Sequence, residues 1–404
     1  VSLVPALLRD DRPFRRFWAG QTVSLFGDQI SLLALPLVAV LVLHAGPRAM
    51  GALTAAGVVP YLLFSLVAGG VVDRVGRRRQ AMIGADLGRA ALLLVVPVHA
   101  VVGRPGFGEL CIVAFLVGTL SVLFAVSYGS LFTSVVARDR YLEANALLSG
   151  SRSLAILGGP AAGGLLVQVL SAPAALVADA GSFLASAWCL HGIRPDEPAA
   201  APAGDLAGGV RFLRHSPALR AALAATATIN FGNYLYWSLF VLFLTRTLDL
   251  APSVVGLVLA AGAVGGLAGS AASPRIVRRL GLGRSFVAGC VVFALPLLAV
   301  PAAHHVPLLL AAELLSGLGV MVLDISAASL FAGLVPHELR ARVQGAYLTV
   351  NYGVRPLGAL AGGALGATLG IRPAIAIGAV LALSGVLWLV RSPVPAIREV
   401  QPSS

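Results

Sequence analysis

The sequence predicts an all-α polytopic membrane protein, with twelve transmembrane helices in two pseudo-symmetric six-helix bundles. Three observations carry that prediction. First, 58% of the residues are hydrophobic and only 11% are charged, where a soluble domain carries about 25% charged residues; mean hydropathy is +0.91. Second, the apolar runs are continuous and reach the length of about 20 residues that a spanning helix needs. They do not alternate as barrel strands do, and lipid offers no partner to an unpaired backbone group, so the spans must be helices. Third, a single long polar segment divides the runs into six and six.

In chain order, a basic head from Arg9 to Arg16 leads into helix 1, at about 17–43. Helices 2 to 6 follow at about 50–72, 80–102, 108–136, 142–170 and 174–191. The polar segment, rich in proline and acid, is expected to end in a short amphipathic helix. Helices 7 to 12 fall near 217–248, 253–273, 284–303, 306–335, 340–369 and 371–390. The expected domains are therefore an N-terminal bundle (1–193), a cytoplasmic linker (194–216) and a C-terminal bundle (217–404). Val1 in first position reads as a non-ATG start. The first apolar run is too long for a signal peptide, with Asp10 and Asp11 before it.

All 29 basic residues are arginine, which with the abundance of Ala, Gly, Val and Leu reads as the codon bias of a GC-rich genome. A net charge of +12 raises the question of nucleic acid, but the arginines mark topology instead. With both termini inside, the outer loops hold Arg48, Arg104, Arg246 and Arg372, the helices hold Arg89, Arg152 and Arg355, and the inner segments hold the other 22. That excess places both termini in the cytoplasm of a cell-membrane protein, and no extramembrane basic domain remains for a nucleic acid. Cys111, Cys189 and Cys290 lie in separate apolar segments without CxxC spacing and read as small buried hydrophobes. There is no phosphate-binding Gly-rich loop with its lysine. The histidines are dispersed, so no metal site, cofactor or enzymatic activity is expected.

The densest charge lies between helices 2 and 3, in the stretch from Gly69 to Arg79 with Asp73, Arg74, Arg77, Arg78 and Arg79, read as a tight Gly-rich turn. Internal repetition is visible as well. At an offset of 205, Phe26-Gly27-Asp28 falls on Phe231-Gly232-Asn233, and at 199 Asn145 falls on Gln344. Two related halves around a linker are common in secondary transporters.

Twelve spans, a central linker and the helix 2–3 turn resemble the major facilitator superfamily, whose signature Gly-x-Leu-Ala-Asp-Arg-x-Gly-Arg-basic is matched by Gly69, Asp73, Arg74, Gly76, Arg77 and Arg78. Helix 1, with Phe14-Arg15-Arg16-Phe17-Trp18-Ala19-Gly20-Gln21 and Phe26-Gly27-Asp28-Gln29, resembles the branch of macrolide efflux proteins and the enterobactin exporter. Helix 5 carries Gly159, Pro160, Gly163 and Gly164, similar to the end of the drug:proton antiporter motif, with Ala146 and Ala155 where that motif has glycines. Helix 4 lacks the arginine often found in such antiporters. The resemblance implies alternating access and proton-coupled export of an amphipathic small molecule, drug- or siderophore-like, by a monomer in contact with membrane lipid. It also implies that Asp73 helps latch the two halves on the cytoplasmic side. Uptake or uniport of a metabolite, and a non-pumping lipid-handling or receptor role, are the alternatives.

A charge at mid-membrane costs about 2.5–3.5 kcal/mol on insertion scales, so each such residue needs a partner, water or a purpose. Gln21, Ser24, Asp28 and Ser31 share one helix face; Asp28 is either a proton-coupling carboxylate facing a cavity or a packing contact. Asn230, Asn233, Tyr234 and Trp237 form a stripe on helix 7 suited to an amphipathic ligand or to an interfacial anchor. On helix 10, Glu313 and Asp324 are candidate titrating groups or structural acids. Arg152, and Arg355 with Asn351, are candidate cavity residues, either arginine being a possible counter-ion to Asp28 or to an anionic substrate. Asp86 and Arg89, three apart on helix 3, are expected to pair for structural reasons, and Asp179 is read the same way. Glycines spaced by four in helices 5, 8 and 11 suit close helix contacts, with helices 5 and 8, and 2 and 11, meeting in the superfamily's fold.

Overall fold

The computed structural model describes residues 6–75, 77–103, 105–193, 206–336 and 339–398, without the side chains of 6, 65–75, 130, 206–210 and 341. No β-strand occurs among the described residues. The long helices are α1 (Arg12–Leu37), α2 (Pro47–Val75), α3 (Arg78–Val102), α4 (Phe107–Val135), α5 (Tyr141–Val169), α6 (Ala172–His191), α7 (Pro217–Leu242), α8 (Pro252–Leu280), α9 (Leu282–Ala294, continued by a 3₁₀ stretch Pro296–Ala302), α10 (Val306–Leu334), α11 (Arg340–Thr368) and α12 (Ile371–Ser384, continued by Val386–Val390). Nine of these segments are long and apolar enough to cross a membrane, among the described residues. The other three, α2, α5 and α11, have 29 residues each, about 43 Å of helix at 1.5 Å per residue.

Apolar side chains are buried, as in a soluble protein, but many also lie on the surface. Val101, Leu142, Val169 and Trp188 lie on the surface, while Asp86, Arg89 and Asp179 are buried. Bare apolar side chains meet lipid at no cost, so the polar groups are the ones that turn inward. The chain divides into two compact units: Val1–Ala45, Ala56–Ala203 and Ala251–Gly256 form one, and Gly46–Ala55, Gly204–Leu250 and Leu257–Ser404 the other. In the first unit α1 packs on α5 and α6, and α3 on α4 and α6; in the second α7 packs on α11 and α12, and α9 on α10.

Helix 8 continues past its expected end to Leu280, and four other helices differ from expectation, each for a local reason. Helix 1 begins at Arg12, because Asp11 caps it, its Oδ1 accepting from the Phe14 N–H at 2.8 Å, with Pro13 in the first turn. Helix 2 continues to Val75, so Gly69 to Arg74 lie on a helix and do not form the turn. Helix 9 changes to 3₁₀ winding at Pro296, which has no N–H to continue the α ladder. Helix 12 breaks at Gly385. The amphipathic helix before α7 spans Leu206–His215.

The repeat extends to the geometry of the backbone. At an offset of 205, α1 falls on α7 and α2 on α8, end for end. Both α1 and α7 finish in a π turn, Val38–Val42 and Phe243–Thr247, followed by a left-handed residue, His44 (φ 51°) and Asp249 (φ 52°). At an offset of 199, α4 falls on α10 and α5 on α11. The six missing residues fall in helix 9, which 3₁₀ winding lengthens, at about 2.0 Å rise per residue against 1.5 Å. Close contacts recur too. A Cβ on Gly118 would strike the Gly57 carbonyl at 2.8 Å, and one on Gly317 would overlap the equivalent Gly262 carbonyl.

Candidate functional site

The first unit contains a cavity of about 740 Å³. Gln21, Ser24, Asp28 and Ser31, the polar face of α1, all line it, together with Arg89 of α3, Phe124 of α4, Arg152 of α5 and Asp179 and Phe183 of α6. Polar and charged groups alternating with aromatic and aliphatic ones around the cavity suit a ligand with both characters.

Arg89 is the centre of its charge. The guanidinium is buried, pairs with Asp86 one turn earlier on α3, and reaches Asp28 across the helix interface at 3.8 Å. It lies over the rings of Phe124 and Phe183, 4.6 and 4.0 Å from their centroids. Cation–π contacts of this kind are strongest when desolvated, and they fix the guanidinium in one orientation. Asp28 is different: 43% of its side chain is exposed, and it faces the cavity. Asp179, fully buried, accepts hydrogen bonds from Ser31 of α1 and Ser182 of α6. Gly27 makes room for that pair, since a Cβ there would overlap both Asp179 and Ser182. Asp86 and Asp28 therefore share one guanidinium, and Asp179 of the neighbouring helix lines the same cavity. The cation beside Asp28 within this unit is Arg89, which sequence reasoning had assigned to a local pair. Arg152 instead extends into the cavity and is exposed.

The helix-5 glycines hold this wall close. A Cβ on Gly159 would overlap Gln29, and one on Gly163 would press on the Ile30 backbone of α1 at 3.2 Å. Gly164 faces Pro252 and Gly256, and Pro160 is buried. Of the helix 2–3 signature, Gly76 lies outside the described residues, as do the side chains of Gly69, Asp73 and Arg74. Arg77 is exposed, Arg78 is buried, and the next arginine, Arg79, donates to the carbonyls of His191 (3.0 Å) and Ile193 (2.7 Å) at the end of α6.

The second unit brings Asn230, Asn351 and Arg355 together. Asn230 Nδ2 donates to Asn351 Oδ1 at 3.0 Å and Arg355 Nε donates to Asn230 Oδ1 at 2.9 Å. The Arg355 guanidinium lies 5.3 Å from the Tyr234 ring centroid and 4.4 Å from that of Tyr352. Asn233 is half-buried on the same helix, and Trp237 packs on Phe240 at 5.7 Å. Glu313 is buried and accepts from the Tyr236 hydroxyl at 3.2 Å. Tyr236 was missed from sequence, because it sits beside the polar stripe of α7 and not on it. Asp324 is exposed and lines a separate cavity of about 500 Å³ with Arg340, Gln344 and Tyr347.

Comparison with known proteins agrees with this architecture. The chain is 26% identical over 404 residues to the multidrug efflux pump Tap of Mycolicibacterium fortuitum, covering 94% of each. It is 27% identical over 397 residues to Tap of Mycobacterium tuberculosis, covering 93% of this chain and 91% of that one. Its fold is shared with a bacterial homologue of the iron transporter ferroportin (TM-score 0.74, 17% identity, 96% and 99% covered). It is shared also with a bacterial homologue of the lysosomal transporter Spinster (TM-score 0.72, 13% identity, 95% of each covered). The description "transmembrane secretion effector" matches residues 6–404, and the chain thus belongs to that family of major facilitator superfamily membrane transporters.

Proposed function

We propose that the protein exports amphipathic small molecules, cationic ones above all, in exchange for protons entering the cell. The observation that carries this reading is the acid-rich cluster around Arg89 on the wall of a cavity of about 740 Å³. Three carboxylates against Arg89, with Arg152 further into the cavity, leave at most one negative charge in excess, which a proton or a cationic ligand offsets. Asp28 alone of the three has a side chain open enough to meet either from the cavity. A proton on Asp28 weakens its attraction to Arg89 and to a bound cation; its loss restores both. Differential protonation then biases the equilibrium between the two access states. The efflux-pump names of the relatives support the outward direction. The arginine distribution supports a cell-membrane protein with both termini in the cytoplasm, and we take the monomer as the working unit.

The test is transport of a fluorescent lipophilic cation into inverted vesicles under an imposed pH gradient. Asp28→Asn is expected to abolish gradient-driven uptake while the purified variant still binds the cation, more weakly and with no dependence on the protonation of residue 28. Normal pumping by Asp28→Asn removes the coupling role, and movement only in the opposite direction makes the protein an importer.

A further inference from the structure

The second unit carries a groove of about 590 Å³ that plays no part in the sites above. It runs between the start of α7 and the end of α12. Pro217, Ala221 and Ala224 recur on one face of α7, and Ser384, Leu387, Trp388 and Arg391 on one face of α12. The groove exists because Ala221, Ala224 and Ser384 are too small to fill the space between two helices. Its lining combines two features that seldom coincide. Arg220 and Arg391 are both exposed cations, and among the described residues no acid lines the groove with them. The remaining walls are mainly apolar.

Trp388 marks its level in the bilayer. The ring is 54% exposed, yet its indole N–H is anchored, donating to Thr228 Oγ1 at 3.1 Å. Tryptophan with one apolar and one polar end settles at the membrane–water boundary, and here it stands one turn before Arg391, where the helix ends. An arginine pair at that level with a strip of small apolar side chains running away from it fits a phosphate diester joined to a hydrocarbon chain. Arginine matches phosphate oxygens in bidentate fashion, and basic pockets between transmembrane helices take anionic headgroups. A zwitterionic lipid would bring its own cation next to Arg220 and Arg391.

We propose that this groove is a binding site for one anionic phospholipid, its phosphate on Arg220 and Arg391 and the first part of an acyl chain along Ala221, Ala224 and Leu387. The site is independent of the cargo pathway and of the direction of transport.

The test uses the full chain reconstituted with lipids brominated on the acyl chain, reading the emission of Trp388 as the difference between the native chain and Trp388→Phe. Brominated phosphatidylglycerol is expected to quench that emission at mole fractions about tenfold lower than brominated phosphatidylcholine. In Arg220→Ala/Arg391→Ala the two lipids should quench alike, and each single substitution should fall between. Because both arginines are exposed, the variants should stay monodisperse by size exclusion, which separates loss of the site from loss of the fold. Equal quenching by both lipids in the native chain overturns the proposal, as does a preference that survives the double substitution. Relief of quenching by millimolar inorganic phosphate would make this a site for the free anion and overturn the lipid. A preference that appears only after Asp196→Asn/Glu197→Gln would identify the linker as the occupant instead.

Discussion

Arg89 reaches Asp28 at 3.8 Å from α3 to α1 while holding Asp86 on its own helix. One cation thus serves a buried acid and an acid on the cavity wall, and their substitution should have separable effects. Arg89→Ala leaves Asp86 buried without its ion-pair partner and should cost about 3–5 kcal/mol. Asp28→Asn changes a side chain open to the cavity and should cost less than about 1 kcal/mol. Thermal unfolding in detergent measures both, and equal losses would contradict the division of roles.

Gly27 is where side chains of α6 press against α1. Gly27→Ala would drive a methyl group into Asp179 and Ser182, with an expected loss of about 1–3 kcal/mol from overpacking. Gly181→Ala, where a Cβ meets nothing within 4 Å, is the matched control. The readout is the folded fraction by fluorescence-detected size exclusion, and equal yields for the two variants would sink the argument.

The Tyr236–Glu313 hydrogen bond, 3.2 Å long and buried, joins α7 to α10. Tyr236→Phe should destabilise by about 1–3 kcal/mol, the cost of a buried polar group left unsatisfied. In a double-mutant cycle with Glu313→Ala the two losses should be non-additive by at least about 0.5 kcal/mol. Strict additivity would mean that the bond does not form.

Asp73 stands in the superfamily signature, and its repeat position at an offset of 205 is Arg278. Asp73→Asn is expected to slow transport severalfold while leaving binding of the lipophilic cation unchanged. A fall in affinity with normal turnover would assign Asp73 to the cargo site instead of the gate.

What could be read from sequence follows the range of the forces involved. The helices, the two repeats and the polar face of α1 were legible, because hydrophobic runs and helical periodicity are local properties of the chain. All four residues of that face line one cavity. The Asp28–Arg89 contact was not legible, since nothing in the spacing of α1 says which turn of α3 lies opposite. Nor was Tyr236, a single buried aromatic among the apolar residues of α7. Gly69-Gly70 misled for a different reason: glycine permits a turn without requiring one, and with no proline between Gly69 and Gly76 the helix simply continues.

The end-for-end repeat has an electrical corollary. Five acids are buried or line a cavity: Asp28, Asp86, Asp179, Glu313 and Asp324. Their counterparts in the other half are Asn233 for Asp28, Gly378 for Asp179, Ala114 for Glu313 and Ala125 for Asp324, while Asp86 falls on the apolar stretch Cys290-Val291. The two copies share their helix ends, their π turns and their glycine crossings but not one ionisable group among these five. The scaffold repeats, and these five acids do not. In the exchange proposed above, a proton would meet two chemically unlike halves, and that inequality would favour one direction of a movement that the backbone alone would leave balanced.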